Sequence, residues 1–407
     1  MGFKDAPALA AAVAREVAAA GGRAYVVGGA VRDALLGRTV RDWDLEVHGL
    51  EAAAVEAALA RVGRAQRVGR AFPMWKVGPG AAPVDVALPV GPGGAPDPHC
   101  GLEAAARRRD LRVNAMAADV LTGEVLDPLG GRADLAAHTL RAADAARFGD
   151  DPLRAWRVAR FAADLGFAVD SALAALAAAQ PVALPSERIC GELERMLGGP
   201  APGRAFGYLE DWGLRARRFG ADGAVDAGVR AALDAVPAWR EAAGPGAARA
   251  FALGLGVWLA PGGSGAVARV LAGLGVKARG GWPLAAQVGA AVDTRAALAW
   301  PPGDAALRAA ADRGELALAL AVAGAWGAPG AAAVRSRAAA LGVDFVPLPP
   351  LITGDDLAGL GVAAGPAMGG LLAAVRAAQH AGHVDSPEAA RALAGRLWCQ
   401  SNGASSP

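Results

Sequence analysis

The stretch Ala24-Tyr-Val-Val-Gly-Gly-Ala-Val-Arg-Asp33, followed after a short loop by Asp42-Trp-Asp-Leu-Glu-Val47, decides the fold of this chain. Its apolar run predicts a buried strand that ends at Gly28 and Gly29. Paired glycines let the backbone approach a ligand closely, with its N–H groups turned toward an anion. Arg32 then follows where a guanidinium can fork onto phosphate oxygens. The stretch therefore predicts a phosphate-binding turn.

Two aspartates follow that turn at the spacing of an extended strand. Side chains two residues apart project from the same face, so Asp42 and Asp44 point together while Trp43 and Leu45 point into a core. Such paired carboxylates suit Mg2+, a hard cation that takes oxygen ligands and shares its other positions with substrate phosphates and water. Asp42 and Asp44 are thus the candidate metal ligands and catalytic residues.

A third carboxylate at this site has two candidates. Asp85 lies in the alternating run Pro83-Val-Asp-Val-Ala87, which predicts a neighbouring strand. Glu46 continues the face of Asp44, although we expect it to be an exposed strand residue, and the choice stays open. Because no side chain is an obvious general base, we expect the metal to activate the attacking hydroxyl, with in-line displacement at an α-phosphate.

Four further motifs follow in order along the chain. They are Arg108-Arg-Asp-Leu-Arg-Val-Asn-Ala115, Asp127-Pro-Leu-Gly-Gly-Arg-Ala-Asp-Leu135, Asp150-Asp-Pro-Leu-Arg-Ala-Trp-Arg-Val-Ala-Arg-Phe161 and Ser186-Glu-Arg-Ile-Cys-Gly-Glu-Leu193. With the glycine and aspartate motifs, they make the chain resemble the class II CCA tRNA nucleotidyltransferases and bacterial poly(A) polymerases. The resemblance covers Tyr25 to Leu193 and thins beyond it.

The resemblance implies an α+β fold. A polymerase-beta-like nucleotidyltransferase head, a small mixed sheet with helices, would precede an all-α neck, body and tail. With the breaks at the Gly/Pro-rich segments 198–203, 260–265 and 346–350, we predict a head over 1–147, a neck over 148–210, a body over 211–345 and a tail over 346–407. In the family, the segment that Arg109, Asp110 and Asn114 match senses the ribose of the nucleotide.

Asp151 and Arg154 match the family's base-reading helix, and their chemistry fits that role. Cytosine and adenine both present an amino donor beside a ring-nitrogen acceptor, whereas uracil and guanine present the reverse. A carboxylate and a guanidinium three residues apart on a helix complement the first pair, so CTP and ATP are the expected substrates. By resemblance, Arg157 and Arg160 also contact the nucleotide.

These motifs predict a template-independent enzyme that adds all or part of the CCA end to tRNA and releases pyrophosphate. A bacterial poly(A) polymerase is the nearest alternative, but that branch tends to have Lys-Asp-Phe-Asp-Val at the aspartate pair and a strongly basic extension. An inactive tRNA-binding relative and a small-molecule nucleotidyltransferase stay open as further alternatives.

The segment from Val90 to Gly101 is short, rich in glycine and proline, and almost uncharged. In the family, a mobile loop in this region helps to switch base preference from C to A, and enzymes that add only two cytidines lack it. The resemblance therefore raises the hypothesis of a partial adder. Whether the chain adds CCA, only CC or only A is left open.

Composition agrees with a cytoplasmic enzyme. The 407 residues are 54% hydrophobic, much of it alanine, which favours several close-packed helical cores. Three cysteines at unrelated spacings form neither a metal pattern nor a disulfide framework. The net charge of +2 says little about an RNA partner, but arginines are dense at 107–109 and near Arg154. We expect no membrane association, and the sequence leaves the oligomeric state open.

Overall fold

In the computed structural model, which describes residues 6–40, 42–69, 73–78 and 84–401, a mixed sheet carries the first motifs. Its strands are β1 (Arg23–Val27), β2 (Trp43–His48), β3 (Ala65–Val68), β4 (Met74–Val77), β5 (Val84–Ala87), β6 (Ala117–Asp119) and β7 (Val125–Leu126). Their order across the sheet is β3-β4-β5-β2-β1-β6-β7. Strands β2 and β5 run parallel, and the other neighbours run antiparallel.

Strands β1 and β2, which are neighbours in the middle of the sheet, carry the glycine and aspartate motifs. Four of the five residues of β1 are buried, as expected for an apolar run covered on both faces. Helices α1 (Ala8–Ala19) and α3 (Ala52–Val62) pack on each other, and α1 also packs on β1. The alanine-rich run over residues 8–20 and the helical periodicity over residues 51–62 predict these two helices, and the structure confirms both.

The remaining helices of this part are α2 (Gly29–Leu35), α4 (Leu102–Ala106), α5 (Gly131–Ala136), α6 (Leu153–Leu165) and α7 (Ser171–Ala178). A second, two-stranded parallel sheet joins β8 (Thr139–Leu140) to β9 (Ala168–Val169). Alternation predicts a single strand over residues 117–125, and that prediction is wrong. The chain turns back after β6, where Asp119 accepts hydrogen bonds from the N–H groups of Leu121 and Thr122, so β6 and β7 form a hairpin.

The rest of the described chain is helical, which confirms the predicted fold class. Its helices are α8 (Ser186–Gly198), α9 (Pro202–Asp211), α10 (Leu214–Phe219), α11 (Ala227–Trp239), α12 (Ala247–Leu259), α13 (Gly263–Gly273), α14 (Leu284–Ala297), α15 (Asp304–Ala311), α16 (Leu316–Ala325), α17 (Ala331–Ala340), α18 (Gly354–Gly359), α19 (Pro366–Ala381) and α20 (Pro387–Ser401). Helix α16 is buried at every position and packs against α11, α12 and α14. Small residues permit this: a methyl group on Gly324 would overlap the Trp239 ring.

The chain divides into two compact units. Unit 1 takes in the described residues up to Leu184 together with Asp211–Leu214, and unit 2 takes in Pro185–Glu210 and the described residues from Arg215. The boundary at Leu184 falls inside the neck predicted over 148–210. The division into head, neck, body and tail stays a prediction.

One stretch, Ala247–Gly273, is long and apolar enough to cross a membrane by length and composition alone. It consists of α12 and α13 joined by a tight turn, and 67% of its most apolar window is buried inside the protein. This burial is typical of core helices in unit 2, so the stretch is weak evidence for a membrane span.

Candidate functional site

The aspartates predicted as metal ligands lie at the start of β2. Asp42 comes just before the strand, Asp44 is its second residue, and both are exposed. Asp44 is directly opposite Asp85 in the parallel pairing of β2 with β5. Residues that are paired across neighbouring strands project from the same face, so the structure brings Asp85 beside Asp44.

The carboxylates at this edge act on one another electrostatically. Desolvation by surrounding protein raises the pKa of Asp44, although its side chain is accessible to solvent, and the negative charges of Asp85 and Asp42 raise it further. The positive charges of Arg109 and Lys76 oppose that rise. A cation would relieve this repulsion, and oxygen donors from neighbouring acids are the ligands that a divalent ion prefers. The donor set therefore fits a divalent metal.

Protein side chains alone do not complete a metal cage in this structure. Within the described ranges, no group of three or more His, Cys, Asp or Glu side chains is arranged to hold an ion. Instead, Lys76 on the neighbouring strand β4 donates through Nζ to both carboxylate oxygens of Asp85, each at 3.1 Å. Asp42 and Asp44 thus remain the proposed ligands, and ligand oxygens would have to fill the other positions.

Glu46 is not the exposed strand residue that its position suggested. Its side chain is buried, with Oε1 2.9 Å from His48 Nε2 and Oε2 2.9 Å from Arg109 Nη2. Burial alone would raise the pKa of Glu46, but hydrogen bonding from His48 and the charge of Arg109 lower it overall. The expectation of exposure was wrong because the pairing with Arg109, 63 residues away, cannot be read from strand alternation.

The predicted phosphate-binding turn joins β1 to α2. Gly28 has φ of 74°, a left-handed conformation that favours glycine, and Gly29 is the first residue of α2. Arg32 on that helix is buried rather than free, and its Nε and Nη2 donate to the Asp33 carboxylate at 2.8 and 3.0 Å. Phosphate binding by Gly28, Gly29 and Arg32 stays a prediction.

Gly28→Ala is expected to weaken nucleotide binding as well as stability. With φ of 74° and ψ of −139°, Gly28 has a conformation that costs an L-residue about 1–3 kcal/mol, and the new methyl group would lie 3.3 Å from Arg109 Nη1. Gly37→Ala is the matched control, because Gly37 has φ of 69° and nothing within 4 Å of the added methyl group. Urea unfolding should show a loss of stability for both variants, whereas the KM for nucleotide should rise only for Gly28→Ala. An equal KM for the two variants would mean that the turn at Gly28 does not contact the nucleotide.

Four of the predicted nucleotide-binding residues form one buried hydrogen-bond network. Asp110 accepts from Asn114 Nδ2 at 3.1 Å and from Arg157 Nε at 2.7 Å. Asn114 Oδ1 in turn accepts from Arg32 Nη1 at 2.7 Å. Burial alone would raise the pKa of Asp110, but the Arg157 charge and the hydrogen bonds from Asn114, Arg157 and the Leu111 N–H lower it. The structure therefore joins α2, α6 and the segment between them.

Phe161 on α6 lies among three of the predicted arginines. Its ring centroid is 5.1 Å from Arg32 Cζ, 5.4 Å from Arg157 Cζ and 4.1 Å from Arg160 Cζ. Stacking of a guanidinium on an aromatic ring restricts its orientation. Arg160 also pairs with Asp164 at 3.2 Å. The motif comparison did not single out Phe161, although its spacing from Arg157 places it on the same helix face.

Asp151 and Arg154 are not three residues apart within one helix, and that part of the prediction was wrong. Asp151 has extended backbone, with φ of −139°, and α6 begins only at Leu153. Its carboxylate accepts from the Leu153 N–H at 3.1 Å, as acids before a helix often do. Arg154 is buried, and its guanidinium donates to the carbonyl oxygens of Arg147 and Arg108, each at 2.6 Å. Base reading by this pair stays a prediction.

The short segment from Val90 to Gly101 is held by backbone hydrogen bonds. Gly91 N–H donates to Ala95 at 2.9 Å, and the Pro98 carbonyl accepts from Gly49 at 2.7 Å. Arg147 Nη1 donates to the Pro92 carbonyl at 2.9 Å. The segment is therefore hydrogen-bonded both to the residue after β2 and to a residue that precedes α6.

Residues 24–141 match the poly(A) polymerase head domain family. Over 221 residues the chain is 41% identical to the multifunctional CCA protein of Thioalkalivibrio sulfidiphilus, covering 48% of this chain and 50% of that protein. Over 203 residues it is 35% identical to the CC-adding tRNA nucleotidyltransferase of Shouchella clausii, covering 49% and 50%. The chain thus spans about half the length of these curated relatives.

The similarity of fold extends over nearly the whole chain. The crystal structure of the Bacillus stearothermophilus CCA-adding enzyme in complex with CTP aligns with a TM-score of 0.75 and 25% identity. The alignment covers 96% of this chain and 97% of that one. A nucleotidyltransferase head followed by helices is therefore the shared architecture.

Proposed function

We propose that this chain belongs to the CCA tRNA nucleotidyltransferase family and that it adds nucleotides to the 3' end of tRNA from CTP and ATP. The observation that carries the proposal is the placement of Asp44 directly opposite Asp85 on a central strand, beside Asp42 and next to the glycine turn. Pyrophosphate is the expected second product.

Asp42 and Asp44 would hold the metal, for which we propose Mg2+. When bound, such an ion supplies charge neutralisation for the phosphates and lowers the pKa of the attacking hydroxyl. The protein itself binds and orients the substrates. Arg109, whose charge acts on Asp44, and the N–H groups after Gly28 would hold the triphosphate in line with the tRNA terminus.

We propose that Asp151 and Arg154 select the base. Arg154 is fixed by two backbone carbonyls, so its remaining N–H donors have a defined direction. A fixed N–H donor disfavours a base that presents a donor where an acceptor is needed, because both polar groups are then left unpaired. UTP and GTP should accordingly be poor substrates.

A partial adder is the second candidate function. The segment from Val90 to Gly101 is short and hydrogen-bonded at both ends, and one of the relatives carries the name of a CC-adding enzyme. We propose that such a segment cannot make the movement that a switch from C to A requires. The chain would then stop after two cytidines. As tRNA and nucleotides are its expected partners, we place it in the cytoplasm.

The test is incorporation of each labelled nucleotide into tRNA that lacks its CCA end, resolved at single-nucleotide steps. CTP alone should extend the tRNA by two residues, and UTP and GTP should extend it poorly. Addition of ATP should give one more residue for a full adder and none for a partial adder. Long adenosine tracts from ATP alone would instead identify a poly(A) polymerase and overturn the proposal.

A further inference from the structure

The side chains of Glu46 and His48 share a face of β2 with Asp44, yet neither belongs to the acid pair. Glu46 is 7% exposed, and its two oxygens have different partners, His48 on Oε1 and Arg109 on Oε2. A buried carboxylate is costly unless it is paired, so this arrangement fixes both partners strongly.

The ring of His48 is fixed on several sides. Its Nδ1 lies 3.3 Å from the Cys100 carbonyl oxygen, and its Nε2 lies 2.9 Å from Glu46 Oε1. The Tyr25 ring packs edge-on against it with centroids 5.4 Å apart. His48 therefore lies against Oε1, and Arg109 contacts Oε2.

Because the two Glu46 oxygens have different partners, Arg109 is bound through one oxygen only. An isolated carboxylate tends to take an arginine through two parallel hydrogen bonds. Here Arg109 donates to Glu46 through Nη2 alone, and among the described residues it has no other hydrogen-bond acceptor. Its Nη1 faces the turn at Gly28, where an added methyl group would lie at 3.3 Å. Its side chain is 30% exposed, so this edge can reach a ligand.

We infer that Glu46 and His48 are positioning residues that hold Arg109 by one edge and leave its Nη1 edge free for the triphosphate of the incoming nucleotide at the Gly28 turn. The inference rests on the proposed function and adds two residues to it. Glu46 supplies the anchor and the orientation. His48 prevents Glu46 from taking up both edges of the guanidinium.

The test compares Glu46→Gln and His48→Ala with the wild-type chain in equilibrium binding of CTP, tripolyphosphate and cytidine. We expect both variants to bind CTP and tripolyphosphate about tenfold more weakly, the loss typical of one charged hydrogen bond. Binding of cytidine should be unchanged, because it has no phosphate. His48→Gln should recover part of the affinity, since its amide can donate to Glu46. In turnover the KM for CTP should rise more than kcat falls.

Asp119→Asn is the matched control. Asp119 is another buried carboxylate of the same sheet, and it pairs with Arg23 at 2.6 Å, outside the proposed site. Wild-type affinity for CTP and tripolyphosphate in both site variants would overturn the inference. So would an equal loss in Asp119→Asn, or an equal loss for cytidine. Failure of the wild-type chain to extend tRNA would reject the proposed function instead, while the tripolyphosphate measurements would still decide the inference.

Discussion

Asp44→Asn is expected to reduce nucleotide incorporation into tRNA by about 10^3-fold, because the site then loses one of its two proposed metal ligands. Asparagine has nearly the same shape, and Asp44 is exposed, so folding should be preserved. The measurement is the rate of labelled CTP incorporation at saturating tRNA.

Two controls show whether the loss of incorporation is a specific loss of catalysis. Affinity for tRNA should be unchanged, which separates catalysis from RNA binding. Glu124→Gln, an acid beside β7 at the edge of the same sheet, should retain full activity. If Asp44→Asn kept the activity of an active wild type, the acid pair would not be the catalytic centre. If the wild type itself added no nucleotide, an inactive tRNA-binding protein would become the better interpretation.

Asp110→Asn should lower the free energy of unfolding of unit 1 by about 3 kcal/mol. Removal of one partner from a buried ion pair costs about 3–5 kcal/mol, and the lower end applies because Arg157 keeps access to solvent. Native-state hydrogen exchange of the α6 amides would measure this. Glu103→Gln is the control, since its pair with Arg107 is an exposed helix pair worth about 0.3–0.5 kcal/mol. Equal losses in the two variants would mean that the buried network is not stabilising.

The same carboxylate predicts a pH dependence. The pKa of Asp110 in the folded chain lies below its ordinary value of 3.8, so the unfolded chain binds the proton more readily. The contribution of Asp110 to folding stability is therefore complete above its ordinary pKa of 3.8, and it is lost as the pH falls through the lower pKa of the folded chain. The wild type should lose more stability than Asp110→Asn in that acidic window, and parallel pH profiles would contradict the assignment.

Local patterns in the sequence were enough to predict the centre of the head. Alternation in the stretch after Asp42 gave β2, the apolar run before Gly28 gave β1, and the glycine pair gave the turn between β1 and α2. The fold of the helical part came from the family resemblance together with the loss of strand patterns. These are properties of neighbouring residues, which a sequence displays directly.

Contacts between distant residues were beyond those patterns. The pairing of Glu46 with Arg109 and of Lys76 with Asp85 depends on register and on tertiary packing. Strand β4 was not predicted, so its lysine had no assigned neighbour. Asp151 was expected on the same helix as Arg154, whereas α6 begins at Leu153, because Pro152, which suits the start of a helix, was not used to position it.

Nucleotide addition at the acid pair is tested most directly by the intact mass of tRNA lacking its CCA end after incubation with the chain, CTP, ATP and Mg2+. The tRNA mass should increase by two cytidylates, with one adenylate more if the enzyme is a full adder, and no increase should be detectable with Asp44→Asn in the time that the wild-type reaction takes to finish. An unchanged tRNA mass with the wild-type chain, or an equal increase with Asp44→Asn, would contradict this prediction.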